Sequence, residues 1–232
     1  VPVPAERPAC FQHPRLRRGS AITRFAVSAG LEALGKNEVP RVGIITCVMS
    51  GCVQYSRRFY HEVLDNPAGA SPLLFPETVF NAPASHLGSV LGNISMNYTL
   101  VGDPGTYLQG LALGATWVAD GRMDGCLVVG AEEADWVTSE SFRMFDKRFL
   151  LAEGAGAIYL RKPRQESDVA LQCIPDSHIY SGCSRAEAAK AMRAQLPDGE
   201  LLIDGTQGLN RYDRAELDAW RDFKGERLSP KL

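Results

Sequence analysis

Apolar positions in TLVGDPGTYLQGLALGATWVADGRMDGCLVVGAEE, residues 99–133, follow three successive rhythms. A short apolar run reaches a glycine-bracketed turn; Leu108, Leu111 and Ala115 then recur at helical spacing; Cys126 to Gly130 is a second continuous apolar run. The pattern predicts strand, helix and strand, a right-handed βαβ unit with both strands buried. Gly102 and Gly105 bracket Asp103 and Pro104 at the first corner, where glycine permits a backbone too tight for a side chain. The next helix N-terminus brings free N–H groups and the positive end of a dipole to whatever the corner displays. It displays Asp103, Pro104 and Thr106, none of them an ordinary nucleophile.

Upstream, residues 1–19 are Pro-rich and then basic (His13 to Arg18) without periodicity, as expected of a surface arm. Ser20 is placed to cap a helix to about Leu34, with Ile22, Phe25, Ala26, Ala29 and Ala33 on one face and Gly35 ending it. Val42 to Val48 reads as a strand covered on both faces. The segment SGCVQYSRRFYHEVLDNP predicts a helix with Phe59, Val63 and Leu64 inward and His61 on the surface. Pro83 suits the first turn of a short helix to about Leu91, on which His86 reads as a packed or capping residue.

Downstream, DWVTSESFRMFDKRF predicts a helix and loop near the site mouth, and AEGAGAIYLRK a strand whose small residues let another backbone come close. The charged run Lys162 to Asp168 divides the chain into halves. Beyond it the pattern predicts a strand from Val169 to Ile174 or Ile179 and a helix from Arg185 to Gln195. A short strand ending at LLIDGTQG and a helix from Asp213 to Phe223 follow. RLSPKL then stops with no strands left to close a sheet, so the chain is expected to end mid-domain or to be completed by another polypeptide.

Composition narrows the class. With 45% hydrophobic and 22% charged residues the chain has material for a sizeable α/β core. A formal net charge of −2 recruits neither nucleic acid nor anionic membrane. No segment approaches the roughly 18 to 20 apolar residues of a membrane span, and no charged-then-apolar leader opens the chain, so a cytoplasmic location is expected. The six cysteines are scattered without CxxC spacing and read as reduced structural thiols, Cys47 and Cys52 included, so no metal site is expected. Gly154 and Gly156 lack the lysine and following helix of a phosphate loop. No cofactor is expected.

NAPASHLGSVLG, the strand, turn and helix after it, ADGRMDGCLVVGAEE and AEGAGAIYL together resemble the N-terminal half of β-ketoacyl-acyl-carrier-protein synthases, members of the thiolase fold. The likeness is to a ketosynthase-like N-terminal domain family that includes chain-length factors. It extends over nearly the whole chain, because IDGTQG with Asp213 to Glu216 resembles the family's H-G-T-G-T segment and D-x-A-E continuation, and RLSPK the strand carrying its lysine. The resemblance implies a thiolase-like fold of α, β and α layers, with the N-terminal half over 1–165 and the start of an incomplete C-terminal half over 166–232.

In that family a cysteine at the strand-helix corner takes the acyl chain as a thioester, and two histidines support decarboxylation and condensation. Counting back without gaps from Asp124 and the GAEE strand end puts the cysteine position on Pro104, or on Asp103 if the turn differs by one residue. A proline has no nucleophile and no N–H for an oxyanion. The first histidine falls on Asp204, whose carboxylate would repel an enolate, while Lys231 matches the family's lysine. The resemblance therefore implies a protein of fatty-acid or polyketide assembly, inactive in condensation by itself. It would shape an acyl pocket as a homodimer, or as a heterodimer with an active ketosynthase, and would take an acyl thioester or an acyl-carrier protein as partner. Two alternatives stand beside it: an acyltransferase or hydrolase of altered mechanism using Asp103, Thr106 or Asp204, and a non-catalytic interaction scaffold. The resemblance implies a dimer in which the strand after the corner helix pairs across a two-fold axis, and CLVVG, short and apolar, adds a physical motive because it would otherwise leave an edge exposed. Arg15, Arg17, Arg18, Arg57, Arg58, Arg143, Lys147 and Arg148 are candidates for a surface that meets an acidic carrier.

Overall fold

A computed structural model describes residues 9–37, 40–92, 94–103, 105–181 and 184–229 of the chain, which divides into two compact units between Asp168 and Val169. In the first, helix α1 (Ala21–Leu34) begins where the Ser20 hydroxyl accepts the N–H of Thr23 and ends at Gly35, whose φ of 58° only glycine adopts cheaply. Strand β1 (Val42–Val48) follows, then α2 (Val53–Asp65), α3 (Ala82–Leu91), β2 (Ile94–Val101), α4 (Thr106–Ala119), β3 (Gly125–Glu132), α5 (Trp136–Arg143) and β4 (Gly154–Arg161). The sheet order is β2-β1-β3-β4, with the first three strands parallel and β4 antiparallel to β3.

This is a layered mixed α/β architecture. Val42, Ile44, Val48, Leu127, Val129 and Ala131 share one sheet face and bury against Ile22, Ala26 and Val27 of α1 and Ala84 and Leu87 of α3. Ile45, Cys47 and Val128 occupy the opposite face, under α4. Every residue of β1 is buried, as a strand between two helical layers requires. β2 and β3 are the parallel strands that α4 joins, and β1 lies between them.

Several details depart from the sequence pattern. The stripe on α4 is not Leu108, Leu111 and Ala115: Leu108 is 43% exposed, and the buried set is Thr106, Gly110, Leu111, Gly114, Trp117 and Val118. The helix lies so close to the sheet that a Cβ on Gly110 would come within 2.5 Å of Cys47 Sγ, and glycines rather than leucines make the seam. The buried face of α1 is Ile22, Thr23, Ala26, Val27 and Gly30, with Phe25 only half-buried. On α2, Leu64 points to solvent, and Phe59 instead meets Phe75 at 5.5 Å between ring centroids. CLVVG is an interior strand held on both sides, so it leaves no edge; the edges of this sheet are β2 and β4.

The second unit holds α6 (Arg185–Arg193), β5 (Leu201–Ile203), α7 (Asn210–Ala219) and β6 (Glu226–Leu228), with β5 and β6 paired in parallel. Residues 169–181 carry no strand: apolar side chains there, such as Val169 and Ile179, are fully exposed, and this run has no ladder partner among the described residues. α7 starts three residues before the expected Asp213 because that carboxylate accepts the N–H groups of Gln207 and Leu209 from inside the first turn. Among the described residues no helix is long and apolar enough to cross a membrane.

Candidate functional site

The corner after β2 is built by backbone economy. Gly102 N–H donates to the Val48 carbonyl at 3.1 Å, extending the β1–β2 ladder by one bond. A Cβ on Gly102 would stand 2.3 Å from Thr106 Oγ1, so only glycine lets α4 start this close. Asp103 caps the turn, its Oδ1 accepting the Gly105 N–H at 2.9 Å and its carbonyl accepting Thr106 N–H at 2.9 Å. The helix begins at Thr106, with Gly105 as the residue before its first turn. Thr106 is buried and Asp103 exposed; Pro104 and Lys231 lie outside the described residues.

This corner opens on a cavity of about 410 Å³ at the C-terminal ends of the parallel strands, the place where open α/β sheets bind ligands. Cys47, Val48 and Met49 line it from β1, Gly130 to Glu132 from β3, and residues 152–156 from the start of β4. Asp103, Thr106 and Tyr107 close it from the corner and the first turn of α4. Gly130 pairs with Gly156 and Ala131 with Ala155, so small residues on two strands leave the space unfilled. Burial pushes the Cys47 thiol up to about 11, and it also raises the Tyr107 phenol. Among the described residues the only thiol lining the cavity is thus held as a neutral S–H at neutral pH, a poor nucleophile.

The acids of GAEEAD fix the surroundings. Glu132 accepts the N–H groups of Met49 and of Ser50, the latter at 3.1 Å, and pins the loop after β1 beside the cavity. Glu133 faces the other way and bridges two helix N-termini, accepting Ile22 N–H of α1 at 3.1 Å and Gln54 N–H of α2 at 2.8 Å. Burial raises both carboxyls above the ordinary carboxylate value, and the backbone hydrogen bonds only partly oppose it. Asp135 caps α5 by accepting the Val137 N–H at 2.9 Å and pairs with Arg57 at 3.1 Å.

In the second unit Asp204 is buried and fully engaged. Its Oδ1 accepts the N–H of Thr206 at 3.1 Å and the Thr206 hydroxyl at 2.6 Å, while Oδ2 accepts Ser229 Oγ at 2.8 Å. Burial alone would raise this carboxyl; the hydrogen bonds, with Arg227 at 3.9 Å, outweigh it and hold it below the ordinary value. Glu216 accepts the Gly205 N–H at 2.7 Å, so Asp213 and Glu216 together tie down the IDGTQG loop.

The remaining candidates separate cleanly. His61 is exposed, whereas His86 is bonded to Glu77 through Nε2 at 2.8 Å, a partner nine residues away that lies off its own helix. Cys52 is buried, with its thiol raised to about 12 by burial. No group of His, Cys, Asp and Glu among the described residues could hold a metal ion. Sequence reasoning missed Glu132, Glu133 and Tyr107, and considered Gly156 only for a phosphate loop and a close backbone approach. For the two glutamates a signal existed: adjacent acids at the end of a buried apolar strand must point to opposite faces and need donors on both.

No family model matches the chain, and no curated protein matches it in sequence. Solved structures do match its fold. The ishigamide ketosynthase/chain length factor superposes with a TM-score of 0.74 at 18% identity, over 96% of this chain and 68% of that one. A β-ketoacyl synthase from Burkholderia phymatum STM815 gives 0.71 at 16% identity, over 98% and 68%. The structure of the type II PKS acyl-carrier protein AntF with its ketosynthase AntDE, bound to the hexaketide, gives 0.66 at 14% identity, over 98% and 74%. The chain has the thiolase-like fold of these ketosynthases.

Proposed function

We propose that this protein is a ketosynthase-like subunit of fatty-acid or polyketide assembly that binds an acyl chain without forming a thioester, in the manner of a chain-length factor. The observation that carries the reading is the cavity itself. It opens at the strand-helix corner where ketosynthases acylate a cysteine, small and apolar residues make most of its wall beside three acids, and its one thiol among the described residues is buried on β1 and protonated. Pro104 stands at the family's cysteine position in this reading and Asp204 at its histidine position, leaving neither acylation nor enolate stabilisation to this chain. Altered acyl transfer through Asp103 or Asp204 is disfavoured, because Asp103 is spent as a cap and both oxygens of Asp204 are hydrogen-bonded.

A partner fits the same reading. β2 is an edge strand whose outer side has no ladder partner among the described residues, and Tyr98 and Val101 on it are exposed. Pairing of this edge with a second ketosynthase-type subunit, an identical copy or an active synthase, would continue the sheet. For a carrier protein the basic surface narrows. Arg57, Arg58, Arg143 and Arg148 are each paired with an acid, whereas no ion pair is formed by the exposed Arg15, Arg17 and Arg18 among the described residues.

The test is co-expression with candidate active ketosynthases and their carrier protein. A stable complex whose product length changes when this chain is included supports the proposal. Absence of any self-association or complex, with product length unaltered, overturns it.

A further inference from the structure

The cavity has a charge pattern of its own. Asp103, Glu132 and Glu153 all contribute to its lining, and no lysine, arginine or histidine does among the described residues. None of the three acids forms a salt bridge among those residues. Four backbone donors around the opening are held by these same acids. Met49 and Ser50 N–H go to Glu132, Gly105 N–H to Asp103, and Ala134 N–H to Glu153 at 3.2 Å.

Resting on the acyl-binding reading above, we propose that the cavity selects by charge: it takes uncharged acyl chains and turns away acyl groups that carry a carboxylate, malonyl among them. A carboxylate leaving water needs either a cation or several free N–H donors. Here it would meet three carboxyl groups and no compensating cation among the described residues in a largely apolar opening, where repulsion is screened less than in bulk water. An alkyl or neutral ketoacyl chain pays neither cost and gains burial for each methylene. The same arrangement that keeps the loops in place thus sets substrate class, because each acid consumes the donor an anionic ligand would have used.

The experiment uses the full chain and three non-hydrolysing probes in isothermal titration: a decanoyl-pantetheine amide, the same chain ending in a carboxylate, and a malonyl-pantetheine amide. The neutral chain is expected to bind at least about tenfold tighter than its carboxylate twin, and the malonyl probe to give no measurable heat. Glu153→Gln, which removes one charge while keeping an acceptor for Ala134, is expected to narrow the gap by weakening only the discrimination. Affinities for the matched pair that differ by less than tenfold overturn the inference and leave the acyl-binding reading intact. Failure of every probe to bind overturns both.

Discussion

Gly156→Leu is the sharpest perturbation of the cavity. Gly156 pairs with Gly130, so the two share a sheet face; a Cβ on Gly130 would press on Tyr107 at 3.0 Å, whereas a Cβ on Gly156 would meet nothing within 4 Å. A leucine there enters the space without moving a neighbour. It displaces the room for three or four methylenes of a bound chain, each worth about 0.8 kcal/mol. The loss is about 3 kcal/mol, or about 100-fold in Kd. Stability should not suffer, since glycine inside a strand costs about 0.5–1 kcal/mol relative to alanine. Gly110→Val is the contrasting change: its Cβ would fall 2.5 Å from Cys47 Sγ and 3.2 Å from Val128, and overpacking of this kind costs about 1–3 kcal/mol. Titration of a neutral acyl-pantetheine amide, with thermal unfolding of each variant, separates the two effects. An unchanged acyl affinity in Gly156→Leu, or a fall in its Tm as large as that of Gly110→Val, would refute the reasoning.

Glu133→Ala should destabilise the fold because it strands the buried Ile22 N–H, at about 1–3 kcal/mol, and the part-buried Gln54 N–H at somewhat less; Glu133→Gln, which keeps one acceptor, should fall between it and the parent in urea unfolding. Stability should also peak at mildly acidic pH. Folding raises the Glu132 and Glu133 carboxyls, so their contribution is complete below the unfolded-state value and is lost as pH rises through the raised one. Asp124 and Asp168, pulled down by hydrogen bonds from Arg41 and Arg161, do the reverse: their contribution is present above the unfolded value and is lost as pH falls through the lowered one. The urea midpoint is expected to rise as pH falls from neutral toward the unfolded-state glutamate value of about 4.3, and to drop below about 4; a steady decline from neutral pH downward would contradict these assignments.

The elements with strong local signals were legible before any coordinates. Ser20 and Gly35 marked the ends of α1, the unbroken apolar run marked β1, and Pro83 marked α3. What the pattern hid were the packing faces. On α4 Leu108, Leu111 and Ala115 looked like the seam, but helix-to-sheet distance is set by the smallest residues, and Gly110 and Gly114 decided it. For Val169 to Ile174 the apolar content suggested a strand, yet a strand exists only where another supplies its hydrogen bonds, and β5 and β6 pair with each other. The edge of the sheet was misplaced for the same reason: β3 looked exposed only until the antiparallel return of β4 was known. The cavity was invisible because it is made of what is missing, the side chains of Gly130, Gly154 and Gly156.

The segments that carry the family resemblance serve the scaffold in this structure. In GAEEAD the acids hold Met49, Ser50, Ile22 and Gln54 N–H groups, and in the DRAE segment Asp213 and Glu216 hold those of Gln207, Leu209 and Gly205. Each joins a loop to a helix end across a gap in sequence, so each is needed for the fold whether or not the corner reacts. Glu132 and the backbone groups it holds therefore shape the cavity whatever the corner displays. On the proposed reading, acylation would need a sulfur at the corner, whereas chain binding would need the Glu132 anchor, the cavity glycines and an opening without basic side chains among the described residues. Those are the features on which Gly156→Leu and the matched neutral and anionic chains act, and Glu133→Ala tests the scaffold without touching the cavity lining.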